Sequence, residues 1–145
     1  MFFLKELPTR EMLETYRKRF PDMNVDKVEA ALVMLREASL LMRELDAYFA
    51  QHGLSQLRFL IMIVLDREVD GTRLMISEIA DRLDVSRPVM TRTIRALIDD
   101  GLLAKNAGGK DGRTRLIRLT EEGRKTLDQV LPGYYRLIDR FMKTP

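Results

Sequence analysis

The sequence predicts a mainly α-helical fold carrying one small β-hairpin. Three observations predict it. Apolar residues recur at steps of three and four through most of the 145 residues, and Thr, Ser and Asp stand just ahead of these runs, where helices take caps. One stretch, Leu102 to Leu119, instead reads as two short strands around a Gly-rich turn. A chain of this length buries one core of useful size, so a single domain is expected.

In chain order, Thr9 caps a short helix in which Met12, Leu13, Tyr16 and Phe20 recur at helical spacing. Pro21 ends it by disfavouring helical geometry in its predecessor. Asp26 and Glu29 read as a capping box opening a long helix to about His52, which Gly53 can close in the left-handed conformation. Along it Val28, Ala31, Leu35, Ala38, Met42, Leu45 and Phe49 follow alternating steps of three and four. Leu32, Val33, Leu40 and Leu41 widen the apolar surface beyond what one packing partner covers easily. Such a helix serves as a central core element, as part of a dimer interface, or as both.

Ser55 caps the next helix, Gln56 to about Asp66, with Leu57, Leu60, Ile61 and Leu65 as its buried face, and Asp70-Gly71 turns the chain. Arg73 to Ile76 reads as a very short strand and Ser77 as the cap of a helix ending near Leu83. Asp84-Val85 then turns into Ser86, the cap of a helix from Arg87 to Asp100 that stops at Gly101. Leu102 to Asn106 and Thr114 to Leu119 form the hairpin, with a polar tip through Gly112. Thr120 caps a last helix, with Glu121 and Glu122 at the positive end of its dipole and Leu127, Leu131, Tyr134, Ile138 and Phe141 on one face. Pro132-Gly133 is expected to kink that helix or divide it in two.

Composition excludes several function classes. With no cysteine there are no disulfides, thiolate nucleophiles or thiol sensors. The single His52 has no companions with which to assemble a metal site, so neither metal nor cofactor is expected. No phosphate-binding Gly-Lys motif or Gly-x-Ser-x-Gly elbow is present, and the carboxylates fall mostly at helix ends or on solvated faces, which argues against an enzyme. No segment approaches the roughly 20 apolar residues of a membrane span. The opening Met-Phe-Phe-Leu-Lys-Glu is too soon acidic for a signal peptide, and a cytoplasmic location is expected.

The net charge of +3 is unevenly placed: Ser86 to Arg118 carries eight basic and three acidic residues, leaving the rest of the chain net negative. Concentrated positive charge suits phosphate, because each neutralised phosphate releases condensed counterions. The segment Ser77 to Asp100 has the lengths of a helix-turn-helix, in which the first helix braces a second whose N-terminal residues meet base edges in the major groove. On the second helix Met90, Ile94, Leu97 and Ile98 form the core side, which forces Arg87, Val89, Arg92, Thr93 and Arg95 in other directions. Arginine grips guanine in bidentate fashion, Val89 can meet a thymine methyl, and Pro88 stiffens the first turn without losing a helical hydrogen bond. A hairpin carrying Lys105, Lys110, Arg113, Arg115 and Arg118 beside a Gly-rich tip suits the minor groove.

Ser86-Arg87-Pro88 opening a helix, Gly101-Leu102-Leu103 closing it, Asp111-Gly112-Arg113, and Leu119-Thr120-Glu121-Glu122-Gly123 together resemble the MarR-type regulators, over about Lys27 to Met142. The resemblance implies a winged helix-turn-helix lobe, 54–120, with dimerisation helices in 1–52 and 121–145, in one domain spanning 1–145. It implies a homodimer on a pseudo-palindromic double-stranded DNA operator, more often as a repressor. Contacts are expected from Ser86, Arg87, Pro88, Val89, Thr91, Arg92 and Arg95 on the helix and from Asp111, Arg113 and Arg115 on the wing, where Asp111 orients Arg113. Many such regulators release DNA when a small lipophilic or phenolic ligand binds, for which Met42, Phe49, Leu57 and Ile61 are the candidate liners. The family pattern usually has arginine where Gly112 stands, and the arm from Thr9 to Phe20 precedes the usual start. The rival reading is a winged-helix protein-interaction module whose basic face is merely solvated.

Overall fold

A helix begins most readily where a side chain can satisfy amides that its first turn leaves without partners. In a computed structural model that describes residues 1–68, 73–108 and 114–142, the Thr9 hydroxyl accepts from the Met12 amide and starts α1 (Arg10–Arg19). The next helix, α2 (Val25–Gln51), is capped by Asn24, whose Oδ1 accepts from the Lys27 amide at 3.0 Å. Asp26 was the expected cap. It instead lies in the first turn of α2, where its carboxylate and that of Glu29 meet the Arg10 guanidinium. The hydrogen bond to Asp26, followed by its charge, raises the Arg10 pKa above the ordinary arginine value.

The chain divides into two compact units, Met1–Leu45 and Asp46–Pro145, with the boundary inside α2. In the first unit Leu13, Val25 and Leu45 are buried, while Val33, Met34, Leu35 and Met42 of α2 stay exposed. The stripe expected along this helix is therefore largely uncovered in a single chain.

The second unit holds the larger core. After Gly53 (φ 70°), Ser55 accepts from the Arg58 amide and starts α3 (Gln56–Asp66). The buried side of α3 is Phe59, Ile61, Met62, Val64 and Leu65, whereas Leu57 and Leu60, expected to be buried, are half-buried. This helix is apolar nearly all round, so periodicity alone does not mark its inner face. The Phe59 ring stacks on Phe49 at 4.5 Å and meets Tyr134 at 4.8 Å, at the centre of the core.

Strand β1 (Leu74–Met75) leads into α4 (Ile76–Ala80). The expected cap was Ser77 and the expected end Leu83. The helix starts two residues earlier, with Met75 at the cap position, because the Glu78 carboxylate accepts from the Met75 amide at 2.9 Å, and the chain turns from Asp81 onward. Helix α5 (Arg87–Asp99) follows, then β2 (Leu103–Gly108) and β3 (Thr114–Leu119). The sheet is antiparallel in the order β1-β3-β2, with Leu74 opposite Ile117 and Leu103 opposite Leu119. The fold is thus mainly helical with a three-stranded winged sheet, and β1 adds a strand to the hairpin.

Thr120 caps α6 (Glu121–Phe141), which runs unbroken through Pro132 rather than dividing there. Pro132 removes one helical donor, but Leu127, Val130 and Leu137 are buried and hold the helix on both sides of it. Gly133 has a separate reason: a β-carbon there would collide with the Tyr48 hydroxyl, which donates to the Val130 carbonyl at 2.6 Å.

Candidate nucleic-acid interface

Helix α5 is pinned along one side by Met90, Ile94 and Leu97, all at 0–1% exposure. Three positions at helical spacing fix the rotation of the helix, so the directions of its other residues follow. Arg87, Arg92 and Arg95 are exposed, and Val89 and Thr91 are half-buried. The Thr93 hydroxyl donates to the Val89 carbonyl at 2.8 Å and is occupied within the helix.

The N-terminus of α5 is open. Ser86 holds the cap position in extended backbone (φ −64°, ψ 151°), but its side chain makes no capping hydrogen bond, contrary to expectation. A cap oxygen normally takes the amide of the second or third helical residue, and Pro88 deletes the first of these donors. Pro88 itself sits in the first turn, as its chemistry requires.

The C-terminal end carries the opposite charge. Asp99 and Asp100 sit where the helix dipole disfavours anions, and Asp100 is balanced by the Arg58 guanidinium of α3 at 2.9 Å. Gly101 then takes φ 80°, which ends the helix in a conformation costly for a residue with a β-carbon. The Thr120 hydroxyl shares its one proton between the carbonyls of Gly101 (2.7 Å) and Leu102 (3.0 Å) and accepts from the Gly123 amide, joining the end of α5 to the start of α6. A β-carbon on Gly123 would strike the Leu102 carbonyl, so this junction closes only around glycine.

These contacts sort the arginines. Arg58 is committed to Asp100, and Arg82, in the turn before α5, to Glu68 (3.1 Å) and the Glu78 carbonyl (2.7 Å). Arg87, Arg92 and Arg95 meet no ion-pair or hydrogen-bond partner among the described residues. Arg58 and Arg82 are thus held by neighbouring carboxylates, whereas the three on α5 are exposed. The bracing roles of Arg58 and Arg82 were not anticipated, because the Arg58 partner lies 42 positions away in sequence and leaves no local signal.

On the wing, Arg115 is exposed on β3, whereas Asp111 and Arg113 lie outside the described residues. Of the candidate ligand liners, Phe49 and Ile61 are fully packed, Leu57 is half-buried and Met42, in the first unit, is exposed. Among the described residues no helix is long and apolar enough to cross a membrane.

Residues 52–114 match the model of the MarR family. The chain is 29% identical to the HTH-type transcriptional repressor YetL of Bacillus subtilis (strain 168) over 140 residues, which cover 97% of this chain and 83% of the relative. Its backbone superposes with a TM-score of 0.76 on AbsC, a MarR family transcriptional regulator from Streptomyces coelicolor, at 22% identity over 83% of this chain and 80% of the other. The TM-score is again 0.76 on Sco3205, a MarR family transcriptional regulator from the same organism in complex with DNA, at 19% identity over 83% of this chain and 76% of that one. In its winged helical fold, in the segment 52–114 and along nearly its whole length, the chain is similar to transcriptional regulators of the MarR family.

Proposed function

We propose that this protein is a sequence-specific double-stranded DNA-binding transcriptional regulator that acts as a homodimer, in the cytoplasm, and represses its targets. The observation that carries the reading is the division of α5 into a fully buried side, Met90, Ile94 and Leu97, and an exposed side bearing Arg87, Arg92 and Arg95 without partners among the described residues. The open first turn adds uncapped amides at the positive end of the helix dipole, where a phosphate is favoured. Arg87, Val89, Thr91, Arg92 and Arg95 are assigned to the major groove, Ser86 and Pro88 to the backbone approach, and Arg113, Asp111 and Arg115 to the wing in the minor groove. A regulator of this MarR-like kind acts by binding DNA, and no catalytic role is assigned to the chain.

Dimerisation is supported by the uncovered apolar side chains. Met34 is 71% exposed and Leu35 50%, and in the second unit Tyr135 is 60% exposed. Apolar surface of this kind is stabilised by association. We assign 1–52 and 121–145 to the dimer contacts and a pseudo-palindromic operator to the resulting two-fold symmetry. Control by a small lipophilic or phenolic ligand is part of the same reading.

Salt dependence tests the electrostatic half. A dimer engaging about six or more phosphates loses about 10³-fold or more in duplex affinity between about 50 and 200 mM salt. Duplexes selected from a random pool and titrated across that range should show this slope. Binding that is absent, or indifferent to salt, would favour a protein-interaction module.

A further inference from the structure

The first unit contains a cavity that the DNA-binding reading does not use. It measures about 380 Å³ and is walled by residues 2–5 on one side and by Arg36, Ser39, Leu40 and Arg43 of α2 on the other. The four α2 residues fall at steps of three, four and seven, so they line one face of the helix over about 10 Å. Arg36 is committed, since its guanidinium donates to the Lys5 carbonyl and holds the N-terminal segment across α2. Arg43 meets no ion-pair or hydrogen-bond partner among the described residues.

The wall has two chemistries and lacks a third. Phe2, Leu4 and Leu40 are apolar, Lys5, Arg36 and Arg43 are cationic, and no carboxylate is among the lining residues. A bare inorganic anion would leave the apolar wall wet, and a neutral hydrocarbon would crowd Arg43 without compensating its charge. An amphipathic monoanion satisfies both halves, and a slot running about 10 Å between two chain segments favours an extended chain over a compact ring. We propose that this cavity binds a medium-chain alkyl carboxylate, its head group on Arg43 with the Ser39 hydroxyl as a second donor and its chain along Leu40 and Phe2. The site is separate from the liners assigned above and is independent of whether α5 reads DNA.

Isothermal titration of the full chain with octanoate, octanol and inorganic phosphate tests the proposal. Octanoate should bind saturably at one site per chain, while octanol and phosphate, each lacking one half of the match, should bind at least about tenfold more weakly. Arg43→Gln should weaken octanoate by about tenfold or more, and Arg43→Lys should recover part of that loss. Arg43 is exposed, so both variants should keep the unfolding midpoint of the parent, and the titration then reads the head-group contact. No saturable octanoate binding at millimolar concentration would overturn the proposal. So would octanoate affinity unchanged in Arg43→Gln, or equalled by octanol.

Discussion

The two compact units use similar apolar content in opposite ways. In Asp46–Pro145 the large apolar side chains of α3, α5 and α6 converge on Phe49, Phe59 and Ile61, and residues such as Ile94, Leu97 and Ile117 reach 0–1% exposure. In Met1–Leu45 only Leu13, Val25 and Leu45 are buried among the described residues, and Met12, Tyr16, Phe20, Val33, Met34 and Leu35 remain exposed. One unit is stabilised by its own packing. The other carries apolar surface that a single chain leaves in water, and its stability is expected to depend on association.

The sharpest way to break this contrast is to truncate one residue on each side of it. Ile94→Ala removes a fully buried side chain and should destabilise the second unit by about 2–5 kcal/mol in a denaturant melt. Met34→Glu, at an exposed position, should leave unfolding of the isolated chain within about 0.5 kcal/mol. It should nonetheless raise the dimer dissociation constant by about tenfold in sedimentation equilibrium, because a charge would enter the apolar contact. If Met34→Glu leaves association unchanged, the exposed face of α2 is not the one that is covered.

Smaller effects refine the second unit. Gly133→Ala should cost about 1–3 kcal/mol, since the new methyl displaces the Tyr48 hydroxyl from the Val130 carbonyl, and Tyr48→Phe in the same background should recover part of it. Arg58→Ala should cost at most about 1 kcal/mol of stability, because the Arg58–Asp100 pair is partly solvated. It should still lower duplex affinity, since Asp100 ends the helix that carries Arg92 and Arg95.

Much of this fold was legible in the sequence where the determinant is local. Thr9, Ser55 and Thr120 cap the helices expected of them, and the spacing of Met90, Ile94 and Leu97 located the inner side of α5. The misses have physical causes. Asn24 and Asp26 are both plausible caps, and what separates them is Arg10, 16 residues from Asp26, which occupies that carboxylate. The start of α4 was misplaced because a carboxylate inside the helix, Glu78, satisfies the amide of Met75. Pairing of β1 with β3 joins segments more than 40 residues apart and leaves no periodic trace. Within the candidate interface the exposed arginines were legible as positions. That Arg58 and Arg82 are committed elsewhere follows only from the folded geometry.

The central claim is that the exposed arginine side of α5 reads sequence. The most direct test is the affinity of parent and Arg92→Ala protein for a selected duplex and for a scrambled duplex of equal length, at one fixed salt concentration. If Arg92 contacts a base edge, the variant should lose about 1–3 kcal/mol on the selected duplex and much less on the scrambled one, so that specificity falls with affinity. Equal losses on both duplexes, or none on either, would contradict it.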